Sequence, residues 1–213
     1  MRNIYKTIVP LAAAAAMLFF VVQPLFTQQK KGDSEKAMVD ERKKGNEVAY
    51  LGGGCFWCVE AVYEKLDGIE SAISGYAGGT EENPTYEQVS RGTTGHAEVV
   101  RIEYDPKVIS YDEMLDMFWK AHDPTTPNRQ GADVGPQYRS IILYENEEQR
   151  VEAEKSKRKA EKDFDDPIVT EIVPLEKFYP AESYHQDFFE NNPNYGYCRI
   201  VIAPKLKKLN LYD

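Results

Sequence analysis

The chain has 213 residues, 42% of them hydrophobic and 29% charged, with a formal net charge of −9. That length and mixture fit one globular domain plus extras, with enough apolar residues for a sizeable core. The negative charge and the lack of a basic stripe exclude a nucleic-acid binder, and three Cys are too few and too odd in number for a disulfide framework.

In chain order, Arg2 and Lys6 precede an unbroken non-polar run from Ile8 to Val22. The run sits at the upper end of a signal-peptide core and falls short of the roughly 20 residues that span a bilayer. Residues 1–27 are therefore expected to be a signal peptide or an N-terminal membrane anchor, with the protein exported, periplasmic or anchored facing outside the cytoplasm. No clean small-x-small cleavage site follows, so both forms stay open. Residues 28–46 are rich in Lys and Glu and nearly free of large apolar residues, which predicts a solvated linker. The folded domain is expected over 47–213.

Glu47 to Leu51 reads as a strand entering the turn Gly52-Gly53-Gly54. From Cys55 the apolar period becomes helical through Val59, Val62, Tyr63 and Leu66, and Gly68 stops it. Ile69 to Tyr76 and Glu98 to Tyr104 read as strands, and Tyr111 to His122 as a helix. Asp123 to Gln137 is a long loop rich in Pro, Gly and polar residues, of a length that usually carries function. Ser140 to Tyr144 is a strand, Asn146 to Phe164 a charged helix and Val169 to Val173 a strand. Ala181 to Glu190 reads as a helix and Arg199 to Ile202 as a last strand. Strict strand–helix alternation is missing, which favours an α+β layer architecture.

The chemistry gathers at Cys55. A strand–glycine turn–helix junction places a thiol against unpaired backbone N–H groups and the positive end of a helix, both of which favour thiolate. Phe56 and Trp57 follow, two rings that suit a greasy pocket, although either alone would read as core. Cys58 completes C-x-x-C, one helical turn from Cys55. Zinc would need two more ligands, and only Cys198 and three scattered His remain. Haem attachment would need His at position 59, which is Val. Redox chemistry is left, in which one thiol attacks and the other resolves a sulfenic acid into a disulfide. Glu98 opens an apolar strand. Desolvation there would raise its pKa and make it a proton donor; from position alone, a surface Glu on the polar face of a half-buried strand is the better reading.

Taken together, these segments resemble the A-type peptide methionine sulfoxide reductases. The resemblance rests on Gly53-Gly54-Cys55-Phe56-Trp57, Gly75-Tyr76-Ala77-Gly78-Gly79, Pro84-Thr85-Tyr86, Gly95-His96-Ala97-Glu98 and Tyr104-Asp105-Pro106. It continues through His122-Asp123-Pro124-Thr125, Gln130-Gly131-Ala132-Asp133, Gln137-Tyr138-Arg139-Ser140, Ala181-Glu182, Tyr184-His185-Gln186 and Gly196-Tyr197-Cys198. The set runs in family order across roughly 47–205. The fold expected is an α+β two-layer mixed sheet packed with helices, with a ferredoxin-like core.

The resemblance implies Cys55 as nucleophile on the sulfoxide sulfur and Glu98 as proton donor to its oxygen. Tyr86 and Tyr138 would hydrogen-bond that oxygen, Asp133 would line the site through a water or the backbone, and Phe56 and Trp57 would hold the S-methyl group. It implies specificity for the S epimer, in proteins carrying methionine sulfoxide and in the free amino acid. It implies no metal or bound cofactor, a thioredoxin-like or other dithiol reductant, and a monomer. The chain departs from the commonest pattern at Cys58, where many members have Gly. Some members resolve with a Cys there and others with the Cys equivalent to Cys198; both are present, so the order stays open. His185 would hold the site from behind or serve structure alone, and His96 and His122 read as structural. Two other classes compete: a general exported thiol–disulfide oxidoreductase working through Cys55 and Cys58, and a non-enzymatic exported domain using Cys as ligands.

Overall fold

The computed structural model describes residues 42–212. The expected leader or anchor, and all but the end of the expected linker, lie outside those residues. Its last stretch, 42–46, is tied down. Arg42 pairs with Glu145, and the Lys43 amide and the Asn46 side chain donate to Glu103 at 2.9 and 3.0 Å.

Eight strands form among the described residues: β1 (Glu47–Gly53), β2 (Ile69–Ala77), β3 (Ala97–Tyr104), β4 (Arg129–Gln130), β5 (Asp133–Val134), β6 (Ser140–Tyr144), β7 (Glu171–Pro174) and β8 (Phe178–Pro180). The helices are α1 (Phe56–Tyr63), α2 (Tyr86–Ser90), α3 (Tyr111–Ala121), α4 (Glu147–Ala160), α5 (Phe188–Asn191) and α6 (Ala203–Lys208). The main sheet has the order β7-β6-β1-β3-β2-β8. All pairs are antiparallel except β6–β7. Within it, β1-α1-β2-β3-α3-β6 with strand order β6-β1-β3-β2 is the split βαβ pattern of the ferredoxin-like fold. The α+β, two-layer expectation holds, with β7 and β8 added at the two edges.

The helices share one face of the sheet, where α1 packs on β1, β2 and β3, and α3 packs on β1 and α4. The period of two then sorts each strand. On β3, Val100, Ile102 and Tyr104 enter the helix-side core, while Ala97 and Val99 enter a second cluster with Val48, Tyr50, Ile141 and Leu143 on the other face. Glu98 is in step with Val100, so it points to the helix side.

Several sequence expectations give way. Residues 123–137 are not featureless: β4 and β5 pair as a small hairpin there. The helix expected over 181–190 is broken at Asp187, which takes a left-handed φ of 51° and leaves one 3-10 turn and the short α5. The last strand, expected at Arg199 to Ile202, is a π-helical turn running from Cys198 into α6. Ile202 and Leu206, four apart, are both buried against the helix-side core. A short apolar run cannot tell strand from helix by its own period.

Candidate active site

Cys55 sits where β1 turns into α1. Gly54 makes the turn with a left-handed φ of 97°. Gly52 is needed for a different reason: a Cβ there would meet the Glu98 carbonyl at 2.7 Å. The glycines thus let β1 lie close against β3 and deliver Cys55 as the N-cap residue of α1. Cross-strand register does the rest. Leu51 faces Val100 and Tyr76 faces Glu98, so Glu98 arrives beside the glycine turn.

Glu98 is 2% exposed, which overturns the surface reading that its position alone favoured. Its Oε2 accepts the Phe56 amide at 3.0 Å. Burial pushes its pKa up to about 8, reinforced by Asp133 and Cys58 and opposed by hydrogen bonds from the Phe56 amide and Cys55. A carboxyl of that kind holds its proton at neutral pH.

The thiols depart from expectation. Cys55, Cys58 and Cys198 are all free and buried. Burial pushes Cys55 up, and so do its hydrogen bond to Cys58 and the nearness of Glu98; only the Trp57 amide pulls the other way. The helix N-terminus therefore does not by itself make Cys55 a thiolate, because desolvation in this pocket outweighs it. Cys58 goes down instead, to about 7, chiefly through the hydrogen bond from Cys55, helped by Lys205 and Tyr197. Cys198 is fully buried, with burial and then Cys58 raising it.

Around the thiols stand the aromatic groups. Phe56 is buried between Tyr76 and His185, with ring centroids 5.9 and 5.0 Å away. Trp57 is half-buried, stacks on Phe188 at 3.7 Å and donates from Nε1 to His185 Nδ1 at 3.2 Å. Tyr86 and Tyr138 are half-buried, and each phenol is held up first by burial and then by Glu98 and Cys55. Glu182 steadies that side, accepting the Tyr76 hydroxyl and the Tyr86 amide, both at 2.9 Å. Asp133 accepts directly from the Tyr197 hydroxyl at 2.6 Å, and the same hydroxyl lies 3.6 Å from the Cys58 sulfur.

Every site residue expected from sequence thus falls within one neighbourhood. Tyr197 and Glu182 were not assigned roles, although both lie in segments that carry the resemblance; the residue before a candidate resolving Cys was the available signal. His96 and His122 face other tasks. His96 bonds the Gly79 amide and the Glu81 carbonyl, and His122 bonds the Phe118 carbonyl and Ser140. Among the described residues, no group of three or more His, Cys, Asp or Glu is placed to hold a metal ion.

A buried thiol at a helix N-cap, an un-ionised carboxyl beside it and an aromatic wall form a site for protonating and reducing a small polar group on an apolar substrate. A sequence model of the family described as peptide methionine sulfoxide reductase matches residues 47–212. The chain belongs to that family. The peptide methionine sulfoxide reductase MsrA of Leptospira borgpetersenii is 60% identical over 162 residues, 76% of this chain and 92% of its own. MsrA 1 of Rhodopirellula baltica is 54% identical, over 84% of this chain and 92% of its own. Among solved structures, reduced Mxr1 of Saccharomyces cerevisiae superposes with a TM-score of 0.71 at 36% identity, covering 74% of this chain and 92% of that one. Methionine sulfoxide reductase A of Corynebacterium diphtheriae gives 0.69 at 35%, covering 71% and 77%. This reductase is an oxidoreductase of the A type, and its Cys55 junction lies inside the matched region.

Proposed function

We propose that this enzyme reduces the S epimer of methionine sulfoxide, in proteins and as the free amino acid, with Cys55 as nucleophile and Glu98 as acid. The observation that carries the reading is Glu98: buried, raised to about 8, and hydrogen-bonded to the amide that follows Cys55. A sulfoxide oxygen leaves poorly until protonated, so a proton held in the pocket at neutral pH is what the reaction lacks elsewhere. Phe56 and Trp57 receive the S-methyl group. Tyr86 and Tyr138 donate to the oxygen as charge develops on it.

The protons balance as follows. Cys55 passes its thiol proton to the Cys58 thiolate and bonds through sulfur to the sulfoxide sulfur, while Glu98 gives its proton to the oxygen. The S–O bond and the new S–S bond then break as the hydroxyl passes to the Cys55 sulfur, so methionine leaves, Cys55 becomes a sulfenic acid and Glu98 regains its proton from water. The Cys58 thiol then attacks Cys55; the proton it gained leaves with the hydroxyl as water and a Cys55–Cys58 disulfide forms. Cys198, which neighbours Cys58, exchanges next, and an external dithiol restores all three. That donor is thioredoxin-like on this reading: yeast Mxr1, which superposes with a TM-score of 0.51 at 27% identity, has been crystallised in complex with Trx2. The reading of residues 1–27 as a leader or anchor adds a setting outside the cytoplasm.

The test is stereochemical. With dithiothreitol as reductant, the S sulfoxide of N-acetylmethionine should be consumed and the R sulfoxide left. Failure to reduce the S epimer would sink the proposal.

A further inference from the structure

Glu60 is a buried acid that the reaction does not use. It lies on α1 one turn after Trp57 and is 1% exposed. One carboxyl oxygen accepts the Phe188 amide at 3.3 Å, and the Asp187 amide bonds the same carboxyl. The Ser74 side chain faces the same carboxyl. These two amides belong to the turn where Asp187 goes left-handed, and the Asp187 side chain makes no cap bond of its own. A buried acid costs stability unless its hydrogen bonds are needed. Here they satisfy backbone donors that nothing in their own segment satisfies.

What depends on that turn is one wall of the substrate pocket. The Phe188 ring lies flat on Trp57, 3.7 Å away and 7° from parallel. His185, three residues earlier, accepts the Trp57 indole N–H. Tyr195 closes edge-on against both Trp57 and Phe188. Trp57 itself leaves α1 at its first turn, so Glu60 and Trp57 share one helix, and the 185–188 segment is gripped by both.

We infer that Glu60 is a positioning residue for the reduction: by holding the Asp187 and Phe188 amides it presses the 185–188 segment onto Trp57 and fixes the pocket that takes the S-methyl group. The inference rests on the reading that Trp57 lines that pocket. Because a methyl pocket grips ground state and transition state alike, loosening it should weaken binding and spare the chemical step.

The experiment is single-turnover reduction of N-acetylmethionine S-sulfoxide by the reduced enzyme, followed as methionine formed against sulfoxide concentration. Glu60→Ala should raise the half-saturating concentration about tenfold and leave the maximal rate within about threefold. It should also shrink the preference for methionine sulfoxide over ethionine sulfoxide, since a looser wall admits the extra carbon. Glu60→Gln keeps an acceptor oxygen and should restore both readouts to within about twofold of the wild type. If alanine does not fold, Glu60→Met, of like volume and without an acceptor, takes its place. Unchanged half-saturation and selectivity in a folded acceptor-less variant overturn the inference, as does a glutamine variant as poor as alanine. Trp57→Ala separates the two claims. If it too leaves half-saturation unchanged, the pocket reading itself fails; if it weakens binding and Glu60→Ala does not, only the role of Glu60 falls.

Discussion

Replacing Glu98 by Gln keeps the shape of the side chain and removes its ability to ionise. The wild-type carboxyl moves from an ordinary 4.5 to about 8 on folding, with burial the first cause. At 1.36 kcal/mol per unit, that shift corresponds to about 3–5 kcal/mol once some relaxation of the pocket is allowed. The sign follows from proton binding. Between pH 4.5 and 8 the unfolded chain has lost this proton and the folded chain keeps it, so wild-type stability falls as pH rises through that window and levels off above it. Glu98→Gln lacks the slope. Its stability relative to wild type, from urea unfolding at a series of pH values, should therefore rise by about 3–5 kcal/mol between pH 5 and pH 9. The same variant should slow methionine formation in a single turnover by about 10²–10⁴, and the wild-type rate should fall about tenfold per pH unit above pH 8. Parallel stability profiles for the two proteins would mean the carboxyl is ionised in the folded state throughout, and the acid role would go with it.

Two further outcomes are expected. Burial holds His122 down at about 4, against an ordinary 6.5, so its contribution to stability is present above pH 6.5 and lost as pH falls toward 4. That loss should reach about 3 kcal/mol and be absent in His122→Gln, compared by denaturant unfolding at pH 7 and pH 4; equal acid sensitivity would show that the ring is not held neutral. For the thiols, the first disulfide after one equivalent of sulfoxide should be Cys55–Cys58, with Cys58–Cys198 following, when quenched samples are mapped by mass spectrometry. Cys198→Ser should stop at Cys55–Cys58, and early accumulation of Cys55–Cys198 in the wild type would reverse the order.

The Cys55 junction was legible because its signals are local. A glycine run with an abrupt change of period marks a strand entering a helix, and that is what forms. Glu98 was half legible. A carboxyl opening an apolar strand raised the prospect of a desolvated proton donor, but position alone favoured a surface Glu on the polar face of a half-buried strand. The strand is buried on both sides, with Val99 and Ala97 in a second cluster and even Arg101 and Glu103 covered. On such a strand the period of two says which face a residue takes and nothing about whether the face is wet. The C-terminal segment was illegible for another reason. Its local sequence is ambiguous, and what decides it is packing against α1, a contact made across more than a hundred residues of chain.

The C-x-x-C in this chain bears on a conflict built into the pocket. Desolvation is what keeps Glu98 protonated at neutral pH, and the same desolvation raises Cys55, where a thiolate is wanted. A drier pocket makes a better acid and a worse nucleophile. A helix N-terminus offers only partial relief, because its effect is modest beside full burial. Cys58 relieves the conflict locally. It lies within hydrogen-bonding reach of Cys55, near Lys205 and Tyr197, and is the thiol of the pair that ionises more readily. On the proposed mechanism Cys58 waits as the thiolate of the pair, its charge favoured by Cys55, Lys205 and Tyr197, so the proton on Cys55 has a nearby destination at the moment of attack. On that mechanism the residue that takes the proton is then the thiol that closes the disulfide, so one side chain would serve both steps in sequence. Where the family has Gly at this position, Cys55 would have to lose its proton by some other route, which gives Cys58→Ser a consequence before any disulfide forms: the first turnover, and not only the recycling, should slow.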